Sequence, residues 1–191
     1  DYILAAGTVN FAAGSTALRT IPVTVLEDSL YEGNETLQLT LQTPVNAVLG
    51  STTVHTATIV DDEVQPTVQF VASSSSVTED NTTRNLTVSV SGASDQVMSV
   101  EYAITGGTAT SGAGNDYILP SSGWITFPAG SAANRNVTVT ILEDGLFEGP
   151  ETVEVTLSNP VNVTLGAQDV HTLSILDDEA APVVQFVSST S

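Results

Sequence analysis

The chain has 191 residues and is strongly acidic, with 22 Asp and Glu against three Arg and no Lys, giving a net charge of -19. Nucleic acids and anionic membrane surfaces are bound through basic surfaces, so this charge excludes both as partners. No apolar run is long enough to span a bilayer, so membrane insertion is not expected either. The lack of cysteine excludes disulfides and thiolate metal sites, and the partners that such a chain attracts are cations.

The predicted elements are β-strands throughout. Val, Ile, Leu and Phe alternate with polar residues in short runs, and clusters of Gly, Pro, Asn and Ser separate these runs. Hydrophobic residues make up 41% of the chain, enough for a packed core. We predict an all-β fold of tandem immunoglobulin-like antiparallel β-sandwiches. The strands of the best-defined sandwich are, in chain order, Val68–Ala72, Leu86–Val90, Val100–Ile104, Ile125–Phe127, Val137–Leu142, Val153–Leu157 and Thr172–Leu176.

The strands belong to an internal repeat. Asp1–Leu4 recurs as Asp116–Leu119, and from Gly7, which corresponds to Gly123, the offset stays constant. The predicted organisation is the C-terminal part of a first repeat (1–63), a linker (64–66), a complete repeat (67–179), and a linker with the first strand of a third repeat (180–191). The first repeat lacks everything that matches residues 67–115. We therefore expect the native polypeptide to be longer, with upstream sequence that completes the first sandwich.

The acidic residues of the complete repeat are predicted to meet at one pole. Sequential strands joined by short connections alternate in direction, so every second connection lies at the same end of the sandwich. The opposite pole keeps only Asp95, Asp169 and Arg135 as charged residues. The acidic pole receives Glu79, Asp80, Asp116, Glu143, Asp144, Glu148, Glu151, Asp177, Asp178 and Glu179.

Such a cluster needs a neutralising partner. Two carboxylates about 4 Å apart repel by roughly 4 kcal/mol at an effective dielectric constant of about 20. Oxygen ligands without Cys or converging His favour Ca²⁺ over transition metals, and Mg²⁺ fits less well because it requires a small octahedral cage. The spacing of an EF-hand loop is missing. The alternative interpretation is a solvated acidic face without a bound ion.

The residues at this pole and around it resemble the Calx-β motif. This module forms the calcium-sensing part of sodium–calcium exchangers and recurs in many large cell-surface proteins. The resemblance covers essentially the whole chain. The matching segments in the complete repeat are Gly107–Ala109, Asn115–Tyr117, Ile125–Gly130, Ile141–Asp144, Phe147–Glu151 and Ile175–Glu179.

The resemblance implies a set of Ca²⁺ ligands in each repeat. In the complete repeat they are Glu79, Asp116, Glu143, Asp144, Glu148, Glu151, Asp177, Asp178 and Glu179. In the first repeat they are Asp1, Glu27, Asp28, Glu32, Glu35, Asp61, Asp62 and Glu63. Two departures from the family pattern matter. The acidic hairpin begins Glu-Asp-Gly where the richest binders have three aspartates, which implies fewer ions. The first repeat has no counterpart of Glu79, which implies an incomplete site.

No catalytic residues are predicted. No His lies near an acid in a nucleophile–base arrangement, a Cys nucleophile is missing, and aromatic residues are only 5% of the chain, too few for a glycan-cleaving cleft. His55 and His171 occupy equivalent strand positions at the pole away from the acids. We therefore expect them to have a packing or strand-end role and not to bind metal.

Two functional hypotheses follow. The favoured one is a calcium-binding structural repeat of a secreted or cell-surface fibre, filament or adhesin stalk, stiffened by Ca²⁺ at the junctions between repeats. Its partners would be neighbouring repeats and other copies in a filament, and its composition resembles that of bacterial surface proteins. The alternative is a regulatory calcium sensor that couples Ca²⁺ binding to a partner domain.

Overall fold

The computed structural model describes residues 1–80 and 82–188, and every regular element among them is a β-strand. No helix of the described residues has the length and apolar composition needed to cross a membrane. The chain divides into two compact units, Asp1–Glu63 and the residues from Val64 onward. The strands of the first unit are β1 (Tyr2–Ile3), β2 (Thr24–Val25), β3 (Leu30–Tyr31), β4 (Glu35–Thr40) and β5 (Val54–Ile59). Those of the second are β6 (Thr67–Phe70), β7 (Ser74–Thr78), β8 (Thr83–Val90), β9 (Ala93–Ser94), β10 (Met98–Gly107), β11 (Tyr117–Ile118), β12 (Ser122–Phe127), β13 (Arg135–Ile141), β14 (Glu151–Val161), β15 (Thr164–Leu165) and β16 (Val170–Leu176).

The second unit is a sandwich of two five-stranded sheets. The strand order is β12-β10-β14-β16-β7 in one sheet and β11-β13-β8-β6-β15 in the other. Neighbouring strands are antiparallel, except that β7 pairs in parallel with β16 and β15 pairs in parallel with β6. Alternate side chains from both sheets fill one core, in which Phe70, Met98 and Phe127 are fully buried. The predicted all-β sandwich is confirmed.

All seven predicted strands are present, as β6, β8, β10, β12, β13, β14 and β16. The pairings of β6 and β13 with β8, and of β10 and β16 with β14, are antiparallel, so strand direction alternates along the chain as the short connections require. This alternation decides which connections share a pole, and therefore where the acidic side chains can meet.

The first predicted strand differs from the structure in one respect. It was predicted to continue to Ala72, but β6 ends at Phe70 and the chain then crosses to the other sheet, where β7 pairs with β16. His171 holds the crossing: its Nδ1 donates to the carbonyl of Ala72 (2.6 Å) and its Nε2 accepts from Ser75 Oγ (2.8 Å). His171 is thus buried among backbone and serine partners, in keeping with the expected packing role.

The first unit is a partial sandwich. Strands β4 and β5 form one antiparallel pair and β1 and β2 another. Leu37 is buried, but Phe11 is 61% exposed, and Val9, Ile21 and Val25 are exposed as well. These side chains occupy the positions that face the core in the second unit. Among the described residues the first unit has no counterparts of β6, β8 and β10, the strands that help to cover the equivalent side chains in the second unit.

The third-repeat strand expected within residues 180–191 is not formed in the part of it that the structure describes. Residues 180–188 carry no strand, and Val184 and Phe186 are 97% and 94% exposed. The corresponding β6 is a strand because it pairs with β8 and β15 of its own sandwich. The described residues offer Val183–Val187 no such partners, and residues 189–191 lie outside the described residues.

Candidate metal centre

Strand ends deliver acidic residues to one pole of the second unit. Glu79 follows β7 directly, and Asp177 follows β16 directly. The hairpin after β13 carries Glu143, and the long loop after β10 leads to Asp116. Since β7 and β16 are parallel neighbours, both strands finish at the same end of the sheet. There the backbone N–H of Glu79 donates to the carbonyl oxygen of Leu176 at 3.0 Å. The topology therefore places these predicted ligands at a common pole.

Three of the predicted Ca²⁺ ligands form the most buried of the three clusters, which we call the inner group: Glu79, Asp116 and Glu148. One carboxylate oxygen from each lies within 4.8 Å of the others. Glu79 and Asp116 are each only 5% exposed, whereas Glu148 is exposed. Asp116 is held by its loop, because its Oδ2 accepts from Thr110 N and its backbone carbonyl accepts from Leu142 N. The inner group is thus a fixed set of oxygen atoms that is partly withdrawn from water.

The pKa values of Glu79, in the inner group, and of its neighbour Glu151 are strongly raised. Burial, followed by the charges of Asp144, Asp116, Glu148 and Glu179, raises the pKa of Glu79 to about 7. A hydrogen bond with Asp116, followed by burial, raises the pKa of Glu151 to about 7. Burial is thus the main cause for Glu79 and the hydrogen bond with Asp116 the main cause for Glu151, and neighbouring acids add to both shifts. A divalent cation at this place would remove the repulsion.

A second cluster, the outer group, lies at the same pole and contains Glu143, Asp178 and Glu179. Its carboxylate oxygens also lie within 4.8 Å of one another, but Glu143 and Asp178 are exposed and Glu179 is half-buried. Burial, a hydrogen bond with Asp177 and the charge of Asp178 raise the pKa of Glu179. The outer group is therefore more solvated than the inner one.

The first unit repeats the arrangement in a smaller form. Asp1, Glu32 and Glu35 bring their oxygens within 4.8 Å of one another, and Glu32 and Glu35 correspond to Glu148 and Glu151. A cavity at this pole is lined by all eight acidic residues predicted for the first repeat: Asp1, Glu27, Asp28, Glu32, Glu35, Asp61, Asp62 and Glu63. Asp1 and Glu35 are exposed and Glu32 is half-buried, so this group is more solvated than the inner group of the second unit.

Some of the predicted ligands accept hydrogen bonds from the backbone and are not members of the three clusters of converging carboxylates. Asp144 Oδ1 accepts from Leu146 N at 2.7 Å, as its counterpart Asp28 does from Leu30 N. Asp177 uses both oxygens, one for Glu148 N and Gly149 N and the other for Glu179 N. The hydrogen bond from Gly149 N is the main reason why the pKa of Asp177 is lowered.

The donor set suits a hard cation. Every side chain of the three groups supplies carboxylate oxygen, and none supplies sulfur or imidazole. Calcium accepts six to eight such ligands at varied angles, whereas Mg²⁺ requires a tighter octahedron. Burial of two acids in the inner group fits a site in which a cation replaces the lost hydration. The residues present therefore fit Ca²⁺.

Comparison with known protein families identifies the fold. The Calx-beta domain family matches residues 1–63 and again residues 61–179. This chain belongs to the Calx-beta domain family. The resemblance seen in the segments around the acidic pole is thereby confirmed.

Two relatives of this Calx-beta chain are matrix proteins. FRAS1-related extracellular matrix protein 2 of Homo sapiens is 31% identical over 189 residues, which is 93% of this chain and 6% of the relative. Extracellular matrix protein 3 of Lytechinus variegatus is 30% identical over 171 residues, which is 86% of this chain and 5% of the relative. The chain thus spans a small part of each relative. Both come from animals, so the expected bacterial source gains no support from them.

Solved structures with a similar fold include Calx domains. The apo-form Calx CBD1 domain is 28% identical with a TM-score of 0.54, and the match covers 61% of this chain and all of that domain. The calcium binding domain CBD12 of CALX1.1 is 29% identical with a TM-score of 0.52, and the match covers 59% of this chain and 44% of that one.

One contact of this Calx-beta chain was not predicted from the sequence. Asn34 Oδ1 accepts from Asp61 N at 3.1 Å and so ties the acidic hairpin of the first unit to its exit. The sequence offered no signal for this role, because the equivalent position in the second unit is Pro150, which has no side-chain acceptor.

Proposed function

We propose that the chain is a calcium-binding structural segment of an extracellular protein. The observation that carries this proposal is the inner group, where Glu79 and Asp116 are each 5% exposed and face further acids. An acid cluster this dry is unfavourable unless a cation is bound, and acids that merely keep a surface soluble stay exposed. The similarity to a calcium binding domain of CALX1.1 supports the same cation.

The groups differ in what they offer an ion. The inner group can surround an ion with three carboxylates, and Glu151 and Asp144 are close enough to affect its acidities. The outer group supplies three more solvated carboxylates, so an ion there would keep more of its water. We propose two ions in the second unit, with tighter binding in the inner group, and one weaker ion in the first unit, at Asp1, Glu32 and Glu35.

We further propose the repeat organisation and its setting. Residues 1–63 are the C-terminal part of one Calx-beta repeat, 64–66 a linker, 67–179 a complete repeat, and 180–191 a linker with the start of another. The two matrix relatives support an extracellular location and neighbouring repeats as partners, and they favour a structural role over a calcium sensor. We infer no catalytic role.

Calorimetric titration of the metal-free chain with CaCl₂ tests the sites directly. We expect binding of about three ions, two tight or moderate and one weak, and markedly weaker binding of Mg²⁺. Glu79→Gln should remove the tightest event, because it deletes a buried inner ligand, and leave the others. The matched control is Glu101→Gln, a substitution on β10 outside the three carboxylate groups. No heat of binding at millimolar Ca²⁺ would contradict the proposed function.

Calcium is also expected to stiffen the junction between repeats. The exit of the first unit, Asp61-Asp62-Glu63, is followed by only Val64, Gln65 and Pro66, and a linker that short permits few orientations. Neutralising the exit carboxylates removes repulsion that would otherwise spread them. Small-angle scattering on a polypeptide with at least two complete repeats should show a larger maximum dimension with Ca²⁺ than with a chelator. Equal dimensions would rule out stiffening while leaving calcium binding intact.

A further inference from the structure

Asp177 accepts three hydrogen bonds from backbone N–H groups at the acidic pole. Its Oδ2 accepts from Glu148 N at 2.7 Å and from Gly149 N at 2.5 Å, and its Oδ1 accepts from Glu179 N at 2.9 Å. One side chain thereby joins the acidic hairpin, with Glu148 at its centre, to the residues that leave β16. Two consecutive N–H groups reach the same oxygen because Gly149 has a left-handed φ of 82°, which a glycine adopts without strain.

Asp61 makes the same contacts in the first unit. It accepts from Glu32 N (2.9 Å), Gly33 N (2.5 Å) and Glu63 N (3.0 Å), and Gly33 has a φ of 76°. The first unit has no counterparts of β6, β8 and β10, which in the second unit bring Phe70, Val88 and Met98, among others, into the core. Because the geometry persists in this incomplete sandwich, it belongs to the hairpin and exit themselves and does not depend on the surrounding core.

Neither aspartate is a member of the three clusters of converging carboxylates, although each hydrogen-bonds the side chain of the acid two residues later, Glu63 or Glu179. The three groups of converging oxygens contain the neighbours of these two residues, such as Asp178 and Glu179, but not Asp61 or Asp177. Both oxygens of each aspartate accept hydrogen bonds from backbone N–H groups, and these bonds favour the charged form of the side chain. The sequence pattern assigned all acids at the pole the same role, whereas their contacts divide them into two kinds.

We propose that Asp61 and Asp177 are positioning residues that hold the acidic hairpin in its binding geometry before any cation arrives. Each acts through the backbone of Glu32 or Glu148, the hairpin acids whose side chains belong to the carboxylate groups. We call each aspartate with its three backbone hydrogen bonds a clamp; the consequence of the clamp for calcium affinity rests on the proposed function. When the hairpin already has its binding geometry, no binding free energy is needed to order it, and the affinity for the ion is higher.

Amide hydrogen exchange on the metal-free full chain, followed by NMR, tests the clamp. In Asp177→Ala we expect the Glu148 and Gly149 amides to exchange about tenfold faster or more, while amides of β13 and β14 keep their rates. Asp178→Ala, with the same change of charge one residue away, should leave these two amides unchanged. Gly149→Ala should also accelerate Glu148 exchange through backbone strain, although every carboxylate is retained. Unchanged rates in Asp177→Ala, or equal acceleration in Asp178→Ala, would overturn the proposal.

Calcium titration of the same variants separates positioning from ligation. Asp177→Ala should keep the number of bound ions and weaken them about tenfold, whereas Asp178→Ala should lose the ion of the outer group. Loss of a whole ion in Asp177→Ala would show that Asp177 is a ligand and refute the positioning role. If the wild-type chain bound no calcium, the proposed function would fail, but the exchange rates would still decide on the clamp. Should Asp177→Ala unfold, its β-strand amides would reveal this, and Asp61→Ala provides the same comparison in the first unit.

Discussion

Calcium at about 1 mM is expected to raise the melting temperature of the chain, and a chelator is expected to lower it again. If the inner site has a dissociation constant near 10 μM, mass action adds about 2.7 kcal/mol to the free energy of unfolding. For a chain of this size that corresponds to a rise of about 5–10 °C. The effect is large because the ion binds carboxylates that converge only in the folded state. Calorimetry or circular dichroism with and without Ca²⁺ measures it.

The variant Asp116→Asn distinguishes a calcium site from a solvated acidic face, because only at a calcium site should the loss of one charge abolish the calcium-dependent rise in melting temperature. Asparagine can still accept the hydrogen bond from Thr110 N, but it removes one charge from the inner group. We expect the calcium-dependent rise to be lost and the stability of the metal-free chain to stay equal or increase, since repulsion is relieved. Asp95→Asn, at the other pole, is the control and should retain the full rise. A melting temperature independent of Ca²⁺ in the wild type would mean that the pole is only a solvated face.

The metal-free chain is expected to become more stable as the pH falls from about 8 to about 5.5. Glu79 has a pKa of about 7 in the folded chain against a reference value of 4.5, and the pKa of Glu151 is raised equally. The folded state then binds protons more tightly than the unfolded state, so the stabilisation is complete below pH 4.5 and is lost as the pH rises through 7. For Glu79 alone the loss is on the order of 3 kcal/mol.

This pH trend is opposite to the one that the clamps would produce. The hydrogen bonds from Gly149, Glu179 and Glu148 lower the pKa of Asp177, so its contribution is present above about pH 3.8 and disappears only in stronger acid. Urea unfolding in metal-free buffer at pH 5.5, 7 and 8.5 would resolve the Glu79 effect. Glu79→Gln should flatten the profile, and saturating Ca²⁺ should reverse its slope near neutral pH. A wild-type stability that increases from pH 5.5 to 8.5 without metal would contradict the prediction.

The sequence predicted the sandwich well because the determining signal is local. The alternation of Val137, Val139 and Ile141 fixes which side chains face the core, and short connections then fix strand direction. The core-facing alternation and the alternating strand direction were enough to predict which loops, and therefore which acidic residues, share one pole. The Calx-β resemblance added the ligand set, which strand counting alone could only narrow down to a pole.

The differences arise where a residue's role depends on contacts between distant segments. The sequence does not reveal that Asp177 is directed at Glu148 N while Asp178 joins Glu143, because both are adjacent aspartates at the end of one strand. The sequence did not predict the crossing from β6 to β7, because the crossing is stabilised by the pairing of β7 with β16 and by contacts with His171, about a hundred residues later. The segment Val183–Val187 has the pattern of a strand but lacks the partners that would make it one.

The parallel pairing of β7 with β16 has a mechanical consequence for a chain under tension. β7 lies near the beginning of the complete repeat and β16 at its end, and five residue pairs from Thr172↔Ser74 to Leu176↔Thr78 connect them. Tension from the N-terminal side reaches β7 through β6, and tension from the C-terminal side acts directly on the end of β16, so the two parallel strands are pulled in opposite directions along their length. The hydrogen bonds between the two strands are then loaded in shear at the same time and cannot break one after another. A stretched chain would therefore resist extension at the end of the sheet where Glu79 and Asp177 follow these two strands.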